Sequence, residues 1–506
     1  MLVWIELLFC VFVVAFWWYK NDQRRYSKYP PGPVRLPIVG NVLQMLIKST
    51  EFPALALQKL ADEHGDVMFI KIAGGEAVVC SSCDAIKEML NHENAIGRLQ
   101  YEFIRDRHAN RNLGVIWSWG PTWRNLRRFT VRNLRDFGFG KSSQMDSVIN
   151  EELDKFLEHM RQQIRSAPNN TLYGVTDFFH LTFNNVLWRL VSGKSYGYHD
   201  PQMMELLRLN REFFNSTNFG LDLSETFPIL RDLFPKWSGR AAQLKTSKDL
   251  FDYGRQMLEE QRQLGTYKED PSCFLDVFIA KVEESRKDPN SDFNDDQFVT
   301  TILDLLVAGS ETSSKTLTFG MLYMMLYPQV QEKVQEEIDQ VVPDGFPIDS
   351  SMKSKLPYTS AVFLEVFRYS TVVPIPTARE ATDDFIFRGF FIKKGTGIIA
   401  NTQAVHFSEK LWGDPYTFRP ERFLSEDGSG VDMKKADLLL TFGYGKRICL
   451  GMVLAETTTF LYFATMLRTF RLEKLPGANI SLKPTLGITL GPQPFNVKIF
   501  VRVPKN

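Results

Sequence analysis

One cysteine stands where a thiolate ligand would be useful. Cys449 lies in the stretch TFGYGKRICLG at 441–451, among Gly443, Gly445 and Gly451, with the cations Lys446 and Arg447 just upstream. An apolar, helix-like run, MVLAETTTFLYFATML, follows directly. Free backbone N–H groups and the positive dipole end at a helix start stabilise a thiolate. Glycines, having no Cβ, let something large and flat approach the backbone. Those are the requirements of a cysteine thiolate bound to haem iron. A buried cysteine at a strand–turn–helix junction would meet an isolated C-x-G equally well. The longer spacing F-x-x-G-x-R-x-C-x-G, filled by Phe442, Gly445, Arg447, Cys449 and Gly451, is a poor match to chance.

A second stretch with chemical promise is Ala308-Gly309-Ser310-Glu311-Thr312, midway along an apolar pattern at 295–326. That pattern predicts a helix of ~48 Å, opened by Asp295 and Asp296 and stopped by Pro328. A mid-helix glycine costs ~1 kcal/mol against alanine, and neighbouring hydroxyls divert backbone hydrogen bonds. A widened turn is therefore expected, with room for a diatomic ligand and water, and with Thr312 and Glu311 to pass protons. Taken alone, the segment is equally a small-residue helix crossing with an exposed glutamate.

Other charged groups read as supports. Glu365 and Arg368 stand three apart on an apolar helix and share a face, and Arg422 in FRPERF supplies a second cation. Charges in such surroundings must be paired, so the three are expected to form a buried structural brace. Trp123 and Arg127 lie one helical turn apart and can offer an indole donor and a guanidinium to a carboxylate; Arg379 and Arg447 can do likewise. Two haem propionates need such partners, although each arginine taken singly also suits a surface position. The Cys80-x-x-Cys83 pair has no second half to complete a zinc site. P-loop, GxGxxG, GxSxG, HExxH and EF-hand spacings all fail, so electrons from NADPH would have to arrive through another protein.

These groups must be positioned by a chain of 506 residues, 44% apolar and 24% charged, with 40 phenylalanines. Such a composition gives a sizeable apolar interior, and a net charge of +1 gives no reason to expect nucleic acid. Five scattered cysteines argue against a disulfide scaffold and suit a reducing cytosol. Residues 2–19 are apolar except Glu6, reaching ~27 Å as a helix against the ~30 Å core of a bilayer. The aromatic end WWY is followed by Lys20, Arg24, Arg25 and Lys28, which places everything downstream in the cytosol. The expected organisation is a membrane anchor at 1–20, a basic, proline-rich hinge at 21–40 and one catalytic domain at 41–506. Hairpins are expected at 67–80 and 384–400, and long helices at 145–165, 241–264, 295–326 and 328–341.

In combination the motifs resemble the cytochrome P-450 family of microsomal type, and their flavour resembles its animal family-2-type clan. The matches arrive in the family's order: WxxxR at 123–127, AGxET at 308–312, ExxR at 365–368, PERF at 420–423, and the cysteine signature. The resemblance implies a mainly α fold with small β-sheets and a single N-terminal transmembrane helix in the endoplasmic reticulum membrane. It implies heme b (iron protoporphyrin IX) ligated by the Cys449 thiolate and shielded by Phe442. Trp123, Arg127, Arg379 and Arg447 would hold the propionates, with Arg98 as a further candidate although Leu99 follows it where proline is common. Gly443, Gly445, Gly451 and Ala308 would border the macrocycle. Thr312 and Glu311 would deliver protons, and Leu305, Ala308, Val373, Ile375 and Thr489 would meet a lipophilic substrate such as a steroid, fatty acid, terpenoid or xenobiotic. The implied activity is monooxygenation, with NADPH–cytochrome reductase and cytochrome b5 as electron-transfer partners and membrane lipid as surroundings. Two rivals keep the cysteine: a reductase-independent haem-thiolate isomerase or dehydratase of oxygenated lipids, and a silent haem- or lipid-binding membrane protein. The AGxET acid and hydroxyl favour the monooxygenase.

Overall fold

The hairpin expected at 67–80 forms: β1 (Val67–Ile72) pairs antiparallel with β2 (Gly75–Cys80), Val67 opposite Cys80. The structure, a computed structural model, describes residues 13, 16–22, 24–50, 52–72, 75–172, 174, 175, 178–216 and 228–502. Most of the expected anchor lies outside the described residues. No helix among the described residues is long and apolar enough to cross a membrane.

The amphipathic patterns form helices that wrap one central rod. In order, those that frame the site are α1 (Glu102–His108), α2 (Gly120–Asp136), α3 (Ser142–Ser166), α4 (His180–Ser192), α5 (Pro201–Ser216), α6 (Arg240–Leu264) and α7 (Asp295–Leu326), then α8 (Pro328–Val341), α9 (Pro357–Ser370) and α10 (Met452–Thr469). The rod is α7, 32 residues long and buried on nearly every side. Its start is capped by the Asn294 side chain, which accepts from the Gln297 N–H, and Asp295 and Asp296 sit in the first turn. Phe298, Ile302, Leu303, Leu306 and Met324 on α7 pack into one large core with Phe274 and Phe278, with Phe363 of α9 and with Phe460 and Phe463 of α10.

The sheets are small and sit to one side. β1 and β2 continue through β7 (Gly397–Ala400), which runs parallel to β2, to β4 (Arg379–Glu380). The expected hairpin at 384–400 is only half realised. β5 (Phe385–Phe387) pairs with β6 (Phe390–Ile392) across Arg388 and Gly389, both left-handed. β7 then leaves for the first sheet, where Ala77 and Val78 offer a parallel partner and its four residues become buried. A third sheet joins β3 (Thr171–Leu172), β9 (Val497–Val501) and β8 (Phe470–Lys474).

Candidate functional site

The cysteine turn is built by backbone bonds and two left-handed glycines. Gly443 and Gly445 have φ of 73° and 70°, a region that costs other residues strain. The Cys449 N–H donates to the Phe442 carbonyl at 2.9 Å, and the Ile448 N–H to that of Gly445 at 2.9 Å. The turn then enters α10 at Met452, two residues beyond Gly451-preceding Leu450. The Phe442 ring packs edge-on against Phe367 of α9, centroids 5.5 Å apart.

Cys449 differs from Cys80, Cys83 and Cys273, all of which are buried, in having an accessible thiol. Burial is nonetheless the largest influence on that thiol and pushes its pKa up from 9.0, against the Gly451 N–H and the Arg127 charge, which pull it down. A sulfur that is reachable yet deeply surrounded is open to a ligand while shielded from bulk water. A bound metal ion would reverse the balance and deprotonate it.

Four arginines converge beside this turn without a carboxylate among them. Arg447 donates to the carbonyls of Ile96 (3.0 Å) and Ser118 (2.8 Å), and Arg127 to that of Ile448 (2.6 Å). Arg98 donates to Ile116 and Thr377, each at 2.8 Å, and Arg379 to Leu90 (2.6 Å), Ala95 (3.2 Å) and Tyr444. Burial, followed by mutual repulsion, lowers Arg447 to about 7 and Arg379 to about 9. Burial likewise brings Arg98 down to about 10 and lowers Arg127. The Arg447 Nη1 and the Trp123 Nε1 are buried with no acceptor. Unpaired buried donors call for a partner, and a dianion supplies it with matching charge. These residues therefore fit a haem carrying two carboxylates.

A partly accessible strip runs along α7. Leu305, Ala308, Gly309 and Thr312 are partly accessible on an otherwise buried helix, and their spacing gathers them on one face. The expected widened turn is not there: every residue from Asp295 to Leu326 is α-helical. The Ser310 and Thr312 hydroxyls bond back to the carbonyls of Leu306 (3.2 Å) and Ala308 (2.9 Å), satisfying themselves without opening the helix. Room comes from small side chains instead. A Cβ on Gly309 would lie 2.9 Å from Leu187 Cδ2 of α4, so that glycine serves the helix crossing.

A ring of polar contacts encloses the space. Asp304, the residue before Leu305, accepts from the N–H groups of Val115 (2.9 Å) and Ile116 (3.1 Å) and faces Arg107 of α1 at 3.5 Å. The Ile116 and Ser118 carbonyls take Arg98 and Arg447, so the stretch 115–118 ties α7 to the arginine cluster. On the other side Lys315 of α7 donates to Thr489 Oγ1 at 2.9 Å, and the Leu490 N–H to the Val372 carbonyl at 2.8 Å. Val373 and Ile375 follow, half-buried, and Thr377 returns the ring to Arg98. The Thr489 side chain is 3% exposed and already engaged by Lys315.

Glu311 is buried, not exposed: Lys315 Nζ reaches Oε1 at 2.7 Å, and His180 Nδ1 of α4 lies 3.4 Å from Oε2. Sequence reasoning missed Lys315, His180 and Asp304. Lys315 alone carried a signal, as a cation four residues after Glu311 on one helix face.

Below the turn, Arg368 clasps Glu365 through Nε (2.7 Å) and Nη2 (2.8 Å), Arg422 Nε reaches the same carboxylate at 3.2 Å, and all three side chains are at most 3% exposed. Arg368 also donates to the His406 carbonyl at 2.7 Å, and His406 Nε2 accepts from the Leu440 N–H at 3.2 Å. The brace thus reaches the segment that opens the cysteine turn.

Comparison with known proteins agrees with this geometry. The family model described as Cytochrome P450 matches residues 30–499. Cytochrome P450 2J5 of Mus musculus is 34% identical over 503 residues, 97% of this chain and 95% of the relative. Cytochrome P450 2C11 of Rattus norvegicus is 32% identical over 454 residues, 89% and 87% of the two chains. Farnesoate epoxidase of Bombyx mori is 32% identical over 495 residues, 96% of each. A family model spanning nearly the whole chain, around a cysteine that alone is accessible among the described residues and four arginines with no carboxylate partner there, has one meaning: the chain belongs to the cytochrome P450 family of haem-thiolate monooxygenases.

Proposed function

We propose that this chain inserts one oxygen atom of O2 into a lipophilic small molecule, with Cys449 as the residue whose thiolate would hold the haem iron. The observation that carries the residue assignment is the cluster of Arg98, Arg127, Arg379 and Arg447 beside an accessible, deeply surrounded Cys449, with no carboxylate paired to any of them among the described residues. Trp123 joins these arginines in holding the propionates, and Gly443, Gly445, Gly451 and Phe442 shape the cysteine side. Bound there, the haem supplies dioxygen activation and oxygen transfer to the substrate.

The protein's own groups do the rest. Leu305, Ala308, Val373 and Ile375 present apolar surface that excludes water and orients substrate, with Thr489 at its edge. The Thr312 hydroxyl, held by the Ala308 carbonyl, is the donor nearest the open face of α7 and passes protons inward. Glu311 replenishes them. Glu365, Arg368 and Arg422 fix the scaffold under the turn.

Electrons reach the site from NADPH through a separate reductase, with cytochrome b5 as a second donor. Residues 1–20 anchor the chain in the endoplasmic reticulum membrane, 21–40 form a hinge, and 41–506 are the cytosolic catalytic domain. The relative named farnesoate epoxidase supports a terpenoid-like substrate with a double bond among the lipophilic classes.

The test is reconstitution with NADPH–cytochrome reductase and NADPH, using terpenoids, steroids and fatty acids first screened for a spectral shift on binding. The expected result is NADPH-dependent product carrying one atom of labelled O2. Turnover of a lipid peroxide without NADPH would establish the isomerase instead.

A further inference from the structure

Lys315 makes contacts in two directions from the centre of α7. Its ammonium donates to Glu311 Oε1 at 2.7 Å, and to Thr489 through both the carbonyl (3.2 Å) and Oγ1 (2.9 Å). Its stem packs under the turn at 485–491: a Cβ on Gly491 would lie 3.2 Å from Lys315 Cε. Its head lies 5.9 Å from the centre of the Phe214 ring of α5. The turn is closed by the Thr485 N–H donating to the Gly491 carbonyl at 2.7 Å and is bonded to Val372 through Leu490. An ammonium has three donors, and here the acid and the turn use all of them.

Glu311 has little freedom otherwise. It lies about 100° round the helix from Thr312, on the flank of the open face, 6% exposed, with His180 Nδ1 against its second oxygen. A buried carboxylate is held where its hydrogen-bonded cation holds it.

We propose that Lys315 is a positioning residue for Glu311, joining that acid to the 485–491 turn so that one ammonium sets the placement of both. The inference rests on the reading of Glu311 as the group that replenishes protons at Thr312. Displacement of the 485–491 turn is then felt at Glu311, and loss of the lysine misplaces the acid while leaving the haem pocket in place.

The experiment uses the haem-loaded full chain and the variants Lys315→Met, Lys315→Arg, Glu311→Gln and the double variant Lys315→Met/Glu311→Gln. Two quantities are read: the fraction of consumed NADPH recovered as hydrogen peroxide, and amide hydrogen exchange across 485–491. Lys315→Met is expected to raise the peroxide fraction several-fold and to speed exchange in the turn. Lys315→Arg is expected to restore both, and the double variant to release no more peroxide than either single one. Additive effects in the double variant would overturn the action through Glu311 while leaving the role of Glu311 standing. A wild-type peroxide fraction in Glu311→Gln would remove the role of Glu311 and this inference with it. Unchanged exchange in Lys315→Met would overturn the tie to the turn.

Discussion

The Arg447 guanidinium lies 3.7 Å from the centre of the Trp123 indole, while its Nη1 and the indole N–H both lack an acceptor. Cation–π contact steadies the charge but cannot replace the missing anion. Arg447→Leu is therefore expected to act differently in two states. In the haem-free chain, relief of charge burial and of repulsion from Arg98, Arg379 and Arg127 offsets loss of the bonds to Ile96 and Ser118, leaving the thermal midpoint little changed. In the loaded enzyme it removes a propionate partner, costing about 1–3 kcal/mol, seen as faster haem loss to an acceptor protein. A matching fall in stability in both states would mean that the arginine is purely structural.

Gly445 separates strain from collision. Its φ is 70°, and a Cβ there would overlap the Leu90 carbonyl oxygen, the same oxygen that accepts from Arg379. Gly443 has φ of 73° and nothing within 4 Å of its missing Cβ. Gly443→Ala should therefore cost about 1–2 kcal/mol from backbone strain alone. Gly445→Ala should cost more and reduce haem content, as measured by urea unfolding and pigment-to-protein ratio. Equal costs would contradict the close approach to Leu90.

Much of this site was legible in the sequence because it is local. Asp295, Asp296 and Pro328 mark the ends of α7, and the spacing from Phe442 to Gly451 describes a single turn. Glu365 and Arg368, three apart, could only share a face. What escaped were partnerships between distant segments: Lys315 with Thr489 across 174 positions, Asp304 with Val115 across 189. Neither partner shows any local sign of the other. The departure of β7 to pair with β2 was hidden for the same reason. The buried state of Glu311 was also hidden, because a glutamate in a small-residue segment suits solvent until a cation arrives from the next turn.

Acid should loosen the brace through His406. Burial, then the charge of Arg368, lowers its pKa from 6.5 to about 3. Between those values the unfolded chain binds the proton and the folded one does not. The contribution is complete above pH 6.5 and is lost as pH falls toward 3, at about 1.4 kcal/mol per pH unit. His406→Asn should flatten the fall of the thermal midpoint in that window relative to the wild-type chain. An unchanged slope would show that His406 is protonated in the folded state.

Thr312→Ala deletes the one hydroxyl on the accessible face of α7 between Leu305 and Lys315. Oxygen consumption is expected to continue, with a several-fold larger share released as peroxide and correspondingly less product. Unchanged coupling between NADPH consumed and product formed would remove Thr312 from proton delivery.

The most direct measurement is the reduced, CO-bound absorption spectrum of the wild-type chain beside Cys449→Ser. The wild-type chain is expected to show the Soret position characteristic of thiolate ligation, and Cys449→Ser to lose it. Retention of that band in Cys449→Ser would mean that another residue holds the iron.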